Sequence, residues 1–367
     1  MPDQLAYWVA FNHIKGFGSV RFQLLLNYFS SLEVAWNATP IELAAAGVHE
    51  RQIKAILDFR EKNSPEDLLN KIQRSGISVV TRMDDNYPAL LKLIATPPPV
   101  LYFKGTLPGQ DKNCIAIVGT RRMTAYGSEM AREISAFLAS RGVVIVSGLA
   151  RGIDSVAHQA ALNCGGETVA VLGSGVDVIY PPEHRLLAKN ITESGALISD
   201  YPPGTAPERT NFPPRNRIIS GICSACIIIE AGEKSGSLIT ARFAAEQGRE
   251  VFVLPGNLNA PQSIGTNRLI RDGARPLLQK EELLEFIESY ESVNPVALNK
   301  KIQISFEDPL EQKILDLIDV EALHVDEISR RLGLTAGKAS SILTMLELKG
   351  FVQETAPQTY RKYLSLF

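Results

Sequence analysis

A chain of 367 residues has room for about two or three domains and can bury a full core without disulfide or metal staples. Apolar residues make up 45% and charged residues 21%, and no apolar run approaches the roughly 18 residues that a membrane-spanning helix needs. The formal net charge of −2 supplies no overall attraction for a polyanion, so any nucleic-acid binding has to come from a local patch.

The opening stretch "MPDQLAYWVAFNHIKG" lacks the basic segment, apolar segment and small-residue cleavage site of a secretory signal, and a cytoplasmic protein is expected. Residues 1–75 read as short helices, with two stretches of the form helix, glycine turn, helix. These are "WVAFNHIKGFGSVRFQLLLNYF", turning at Gly16-Phe17-Gly18, and "IELAAAGVHERQIKAILDF", turning at Gly47. They resemble a helix-hairpin-helix or SAM-like domain, a module whose turn N–H groups can touch a phosphate backbone. A helical packing or protein-contact domain fits them as well.

From residue 76 to 290 strand and helix signals alternate, which predicts an α/β domain with a mostly parallel sheet covered on both faces. An added strand pair is expected first, in "ISVVTRMDDNYPALLKLIATPPPVLYFKG". The following strands are "CIAIVG", "VVIVSG", "TVAVLG", "ALISDY", "CIIIEA" and "EVFVLPG", with helices over 126–140, 155–163, 183–190, 213–222, 238–247 and 266–272. Residues 291–307 form a polar linker, and residues 308–367 read as three helices and a β-wing, the order of a winged-helix domain. Only Lys338 and Lys349 place positive charge on its third helix, with Glu347 opposing, so DNA and a protein partner fit that helix equally.

In such a sheet ligands bind where the carboxyl ends of the strands meet the loops. The first loop, Gly119-Thr120-Arg121-Arg122, carries two bulky cations where a dinucleotide cradle would need small residues, so an anion other than NAD is expected. The second loop holds Gly148, Gly152 and Arg151, the glycines permitting close backbone approach. The third holds Arg185. The fourth carries Arg209, Phe212, Arg215, Asn216 and Arg217, and in the fifth Ser235, Gly236 and Ser237 precede a helix N-terminus. Converging guanidinium groups with an aromatic ring suit an extended single strand, because arginine forks onto phosphate and stacks on bases. Arg122 and Arg185 are expected to make surface ion pairs.

Other chemistry finds little apparatus. Asp154 and His158 stand four residues apart, as a base and its orienter would, but Asp154 is better read as a helix N-cap and His158 as a polar core or dimer residue. Glu230 closes its strand and is expected to anchor Arg217 or a backbone N–H in the next loop. Cys223 and Cys226 have no second Cys or His pair at zinc spacing and read as small hydrophobes, so no metal is expected. There is no nucleophile elbow, metalloprotease helix or Walker A pattern, and no catalytic residue or cofactor is assigned.

Six successive stretches carry a resemblance: "VGTRRMTAYG", "VVIVSGLARGIDSVAHQAAL", "TVAVLGSGVDVIYPPEH", "FPPRNRIISG", "EAGEKSGSLITARFAAEQGREVFVLPG" and "GTNRLIRDGA". In this order they resemble the DNA-processing protein A family, also called DprA or Smf, over roughly residues 80–280. The resemblance implies an extended Rossmann domain that binds single-stranded DNA without sequence preference, and a homodimer. It also implies that the protein shelters incoming strands in natural transformation and loads the RecA recombinase onto them. Arg121 stands in the family's Gly-Ser/Thr-Arg motif, Arg209 at the basic position before Phe-Pro, and Arg215-Asn216-Arg217 as the Arg-Asn-Arg core. Relatives place lysine directly after Tyr-Pro where this chain has Pro182, so a contact from that loop would fall to Arg185. The competing reading is a phosphoribohydrolase of the lysine-decarboxylase-like Rossmann family. "EAGEKSGSLITA" lacks that family's paired glycines and the glutamate at that spacing.

Overall fold

The computed structural model describes residues 2–293, 309–318, 323–348 and 351–362. The chain forms two compact units, Met1–Ile287 and Glu288–Phe367. The expected linker lies outside the described residues from residue 294 onward.

The first unit begins with six helices, α1 (Pro2–His13), α2 (Ser19–Tyr28), α3 (Leu32–Asn37), α4 (Pro40–Ala45), α5 (Glu50–Arg60) and α6 (Pro65–Arg74). The turns fall at the glycines: Gly16 and Gly47 have φ of 82° and 86°, where a side chain would be strained. Their apolar faces share a core around Phe11, Phe22, Leu25, Leu32, Leu43 and Ile56, which also takes in Val100 and Tyr102 of the sheet. The Tyr102 hydroxyl donates to Asn12 Oδ1 at 2.8 Å, and Ser19 Oγ donates to the Pro97 carbonyl at 2.7 Å. The helices are therefore packed onto the sheet edge.

The sheet has nine strands: β1 (Ser78–Thr81), β2 (Val100–Gly105), β3 (Cys114–Val118), β4 (Val144–Ser147), β5 (Thr168–Val171), β6 (Gly195–Ser199), β7 (Ala225–Ile228), β8 (Glu250–Val253) and β9 (Arg275–Pro276). Their order is β1-β2-β6-β5-β4-β3-β7-β8-β9. β1 and β2 are antiparallel, and β2 meets β6 antiparallel. From β6 across to β9 every neighbouring pair is parallel.

Alternate side chains of β3 show how the layers form. Ile115 and Ile117 pack with Ile134 and Leu138 of α8 (Ala125–Ala139) and Ala157 of α9 (Ile153–Asn163). Cys114, Ala116 and Val118 join Ile218 and Ile222 of α11 (Phe212–Ile222) and Ala241 and Ala244 of α12 (Ser237–Glu246). A strand buried on both faces must be apolar throughout, which is why "CIAIV" lacks the polar alternation of a half-exposed strand. The remaining helices of this region are α7 (Ala89–Lys92), α10 (Arg185–Ser194), α13 (Ile264–Arg271) and α14 (Glu282–Val293).

The second unit holds α15 (Pro309–Leu317), α16 (Val325–Leu332), α17 (Ala336–Leu348) and a three-stranded sheet, β10 (Leu323–His324), β11 (Val352–Ala356) and β12 (Thr359–Lys362), in the order β10-β12-β11. Ile314, Ile328, Leu343, Leu346 and Tyr360 form its own core. Together the two units make an α/β, Rossmann-like protein with an N-terminal helical region and a C-terminal winged helix. Among the described residues no helix is long and apolar enough to cross a membrane.

Candidate nucleic-acid interface

The strand order reverses at β3, which has β4 on one side and β7 on the other. A dinucleotide would bind in the crevice at this reversal, with its pyrophosphate at the N-terminus of α8. Here a protein carboxylate already occupies that place. Glu230, 4% exposed, accepts the Thr124 backbone N–H at 2.9 Å and the Thr124 hydroxyl, and Thr124 Oγ1 caps α8 by accepting the Gly127 N–H at 3.1 Å. Gly119 and Gly127 are needed to admit these groups: a Cβ at Gly119 would stand 2.6 Å from Ile153, and one at Gly127 would stand 2.3 Å from the Glu230 carboxylate.

Glu230 thus anchors a backbone N–H of the loop after β3. The expectation that it serves Arg217 or the loop that follows it is corrected, because Arg217 lies on another carboxylate. Arg217 Nη2 pairs with Asp200 Oδ2 at 2.9 Å, Nε donates to the Thr96 carbonyl at 3.2 Å and Nη1 to the Pro214 carbonyl at 3.0 Å.

On the other side of β3, a hollow opens at the ends of β3, β4 and β5. Arg121, Gly148, Ala150, Arg151, Tyr180, Pro181, Phe212 and Arg215 line it. Its free volume of about 20 Å³ has room for about one water, so it cannot enclose a mononucleotide. Phe212, at the start of α11, is central: the Arg121 and Arg215 guanidinium carbons lie 5.8 Å and 5.9 Å from its ring centroid, and the Tyr180 ring lies 5.8 Å away at 44°. Gly173 leaves space for this ring, since a Cβ there would come within 2.8 Å of it.

The three arginines of the hollow differ in state. Arg215 is 4% exposed and donates Nη1 to the carbonyls of Gly148, at 2.9 Å, and Val171. Burial pulls its pKa down to about 10; Asp154 opposes this shift, while the nearby Arg121 charge adds to it. Gly148 is required beside it: a Cβ would be 2.7 Å from Arg215 Nη2 and 2.9 Å from Asp154 Oδ2. The close approach expected at Gly148 and Gly152 is therefore taken up inside the protein, Gly152 (φ 79°) lying against the backbone of Thr120 and Arg121. Arg151 is exposed and paired with Glu183. Arg121 is exposed and, among the described residues, has no carboxylate partner.

The other expected residues fall around this hollow. Arg209 stands exposed in the 3-10 turn Arg209–Asn211 just before Phe212. Asn216 Nδ2 donates to the Gly236 carbonyl at 3.3 Å, tying α11 to the start of α12, where the Ser235 and Ser237 hydroxyls lie 2.8 Å apart. Thr120 holds the loop by donating its N–H to the Glu230 carbonyl at 2.8 Å. Tyr180 and Pro181 were absent from the sequence-based set, although an aromatic ring before two prolines in a post-strand loop was a usable signal.

Of the remaining expectations, those for Asp154, Arg122 and Arg185 are revised, while His158 and the two cysteines are buried in the core as expected. Asp154 does not cap α9, whose N-cap is Gly152; its buried carboxylate instead accepts the N–H groups of Gly148 at 3.1 Å and Ala150 at 3.4 Å, bracing the loop after β4. Burial raises its pKa, opposed by Arg215. His158 is fully buried and meets Thr168 Oγ1 at 2.7 Å rather than Asp154. Because the Thr168 hydroxyl donates to the Ile145 carbonyl at 2.6 Å, His158 Nδ1 carries the proton and Nε2 is left without a partner. Burial, His184 and Arg215 lower its pKa to about 3. Arg122 and Arg185 are exposed, and among the described residues neither makes the expected ion pair. Cys223 and Cys226 are buried free thiols, and burial pushes Cys226 up to about 12.

The chain is similar to known proteins over nearly its whole length. Residues 78–288 match the family model described as DNA recombination-mediator protein A, and residues 304–356 match the DprA winged helix domain. Protein Smf of Synechocystis sp. is 36% identical over 98% of this chain and 99% of its own length. Protein Smf of Escherichia coli is 38% identical, over 85% of this chain and 84% of its own. Among solved structures, DNA processing protein A from Streptococcus pneumoniae superposes with a TM-score of 0.68 at 32% identity, covering 76% of this chain and 97% of that one. DNA processing protein A from Helicobacter pylori, described for its single-stranded DNA binding mode, gives a TM-score of 0.53 at 32% identity over 58% of this chain and 96% of that one. With a model match over more than half its length and a relative aligned nearly end to end, the chain belongs to the DNA processing protein A (DprA/Smf) family.

Proposed function

We propose that this protein binds single-stranded DNA without sequence preference along the rim formed by the ends of β3, β4 and β5 and the start of α11, without catalysing a reaction on it. The observation that carries this reading is Arg121: exposed, free of any carboxylate among the described residues, and set over Phe212 beside Tyr180 at the mouth of a shallow hollow. A guanidinium beside aromatic rings offers a base a stacking surface and its phosphate a charged donor. Arg209, one turn before Phe212, extends the same rim. Gly119, Thr120, Gly148, Arg215, Asn216 and Arg217 act from below as the frame that holds it, and Ser235, Gly236 and Ser237 supply a polar border through Asn216.

The H. pylori relative's single-stranded DNA binding mode supports this assignment. On it we build the wider role: sheltering incoming strands in the cytoplasm during natural transformation, working as a homodimer and loading RecA recombinase. The phosphoribohydrolase reading is weaker, because Glu230, the carboxylate best placed at the sheet edge, is spent on Thr124.

Titration of length-varied single strands and of duplex, at two salt concentrations, tests the proposal. Single strands should bind better than duplex. Arg121→Ala should weaken binding and make the log–log salt slope shallower by about 0.7. Unchanged affinity and slope in that variant would overturn the assignment.

A further inference from the structure

We propose that Glu183 is an internal competitor for the phosphate of a bound strand: it occupies Arg151 in the free protein and thereby limits how long the rim holds DNA. This rests on the single-stranded DNA reading above and adds an affinity-setting residue to it.

Arg151 lines the hollow, and its Nε pairs with Glu183 Oε1 in the 3-10 turn Pro182–His184. Both side chains remain open to solvent, at 58% and 49%, so a phosphate can reach the guanidinium while the carboxylate is on it. The carboxylate is also held in place. The next residue, His184, donates Nδ1 to the Leu149 carbonyl at 2.9 Å, and Leu149 is a fully buried non-glycine residue at φ 57°. A left-handed leucine persists only where its surroundings fix it. His184 and Glu183 therefore tie the β5 loop to the β4 loop at two points and keep the carboxylate opposite Arg151.

Compared with its neighbours, Arg151 is the adjustable cation. Arg215 is committed to two backbone carbonyls, and Arg121 has no carboxylate partner among the described residues. An exposed ion pair is weak and screened by salt, whereas phosphate offers oxygens that a guanidinium grips in bidentate fashion. A strand can thus displace Glu183 from Arg151. The displaced carboxylate stays beside the phosphate and repels it, which favours release.

The test uses the full chain and a fluorescein-labelled oligothymidine. Glu183→Gln, which keeps the shape and removes the charge, should tighten binding by about 3- to 10-fold, mostly through slower dissociation. Glu183→Ala should shift affinity in the same direction. In an Arg151→Ala background the gain should vanish, because there is no cation left to uncover. A Glu183→Gln variant that binds no better than the parent, or a gain that survives Arg151→Ala, overturns the proposal. Failure of the underlying reading is seen separately: if the parent does not bind the oligonucleotide, or Arg121→Ala binds as well as the parent, the rim itself is wrongly assigned and this proposal falls with it.

Discussion

Arg121, in the loop after β3, and Arg217, in α11, bear the same guanidinium near one sheet edge, yet their surroundings have little in common. The first projects into solvent over Phe212, while the second is 15% exposed and fixed by Asp200 and two backbone carbonyls. The loop after β3 spends its backbone N–H groups on Glu230 and leaves the Arg121 side chain on the solvent side, with no carboxylate partner among the described residues, so this arginine remains available. The helix laid against the sheet brings Arg217 among acceptors that need donors, the Asp200 carboxylate and the Thr96 and Pro214 carbonyls. The position of an arginine on a motif therefore says less about its role than the element that carries it.

Substitutions can break that contrast. Arg215→Ala should have the largest effect, destabilising the fold by about 3–5 kcal/mol in urea titration, because it strips donors from the Gly148 and Val171 carbonyls and leaves the buried Asp154 uncompensated. Phe212→Ala should cost single-strand binding about 1–3 kcal/mol by fluorescence anisotropy, the value of one stacked base. Arg217→Ala should destabilise folding by about 1–2 kcal/mol through the lost Asp200 pair, with the salt slope of DNA binding unchanged. If Arg217→Ala instead flattened that slope while folding normally, the helix arginine would be a phosphate ligand and the contrast would fail.

Acid adds an effect of a different kind, set by pH. The folded-state value of His158, about 3, lies below its ordinary 6.5, so the unfolded chain takes up the proton first. Its contribution is complete above about pH 6.5 and is lost as pH falls from there toward 3, by at most about 1.4 kcal/mol per pH unit. Urea titrations across this window should slope downward into acid, and His158→Gln should reduce that slope. A slope unaltered by the substitution would mean that other groups carry the acid sensitivity. Smallest of all, Arg121→Ala should leave folding stability within about 0.5 kcal/mol.

Much of the architecture was legible because β3, β4, β5 and β7 are buried on both faces, and the apolar runs of the first three end at glycine or serine-glycine turns. The two-residue strand β9 was missed, since so short a segment has no period to detect. In the site, the loop arginines and Phe212 could be read from residue type and topology. The roles of Asp154, Glu230 and Arg217 could not, because each depends on a partner 4 to 121 residues away that no local pattern specifies. Glu230 shows the difficulty most clearly: closing β7 makes it look available, but packing of α8 brings Thr124 to it.

The Glu230 carboxylate at the head of α8 also has a topological consequence. With the cofactor slot filled from within, a strand bound as proposed would lie along the rim of the hollow rather than inside the sheet crevice, a mode that requires no threading. A strand laid against such a surface needs no free terminus, so a covalently closed single-stranded circle should engage it on the same terms as a linear molecule.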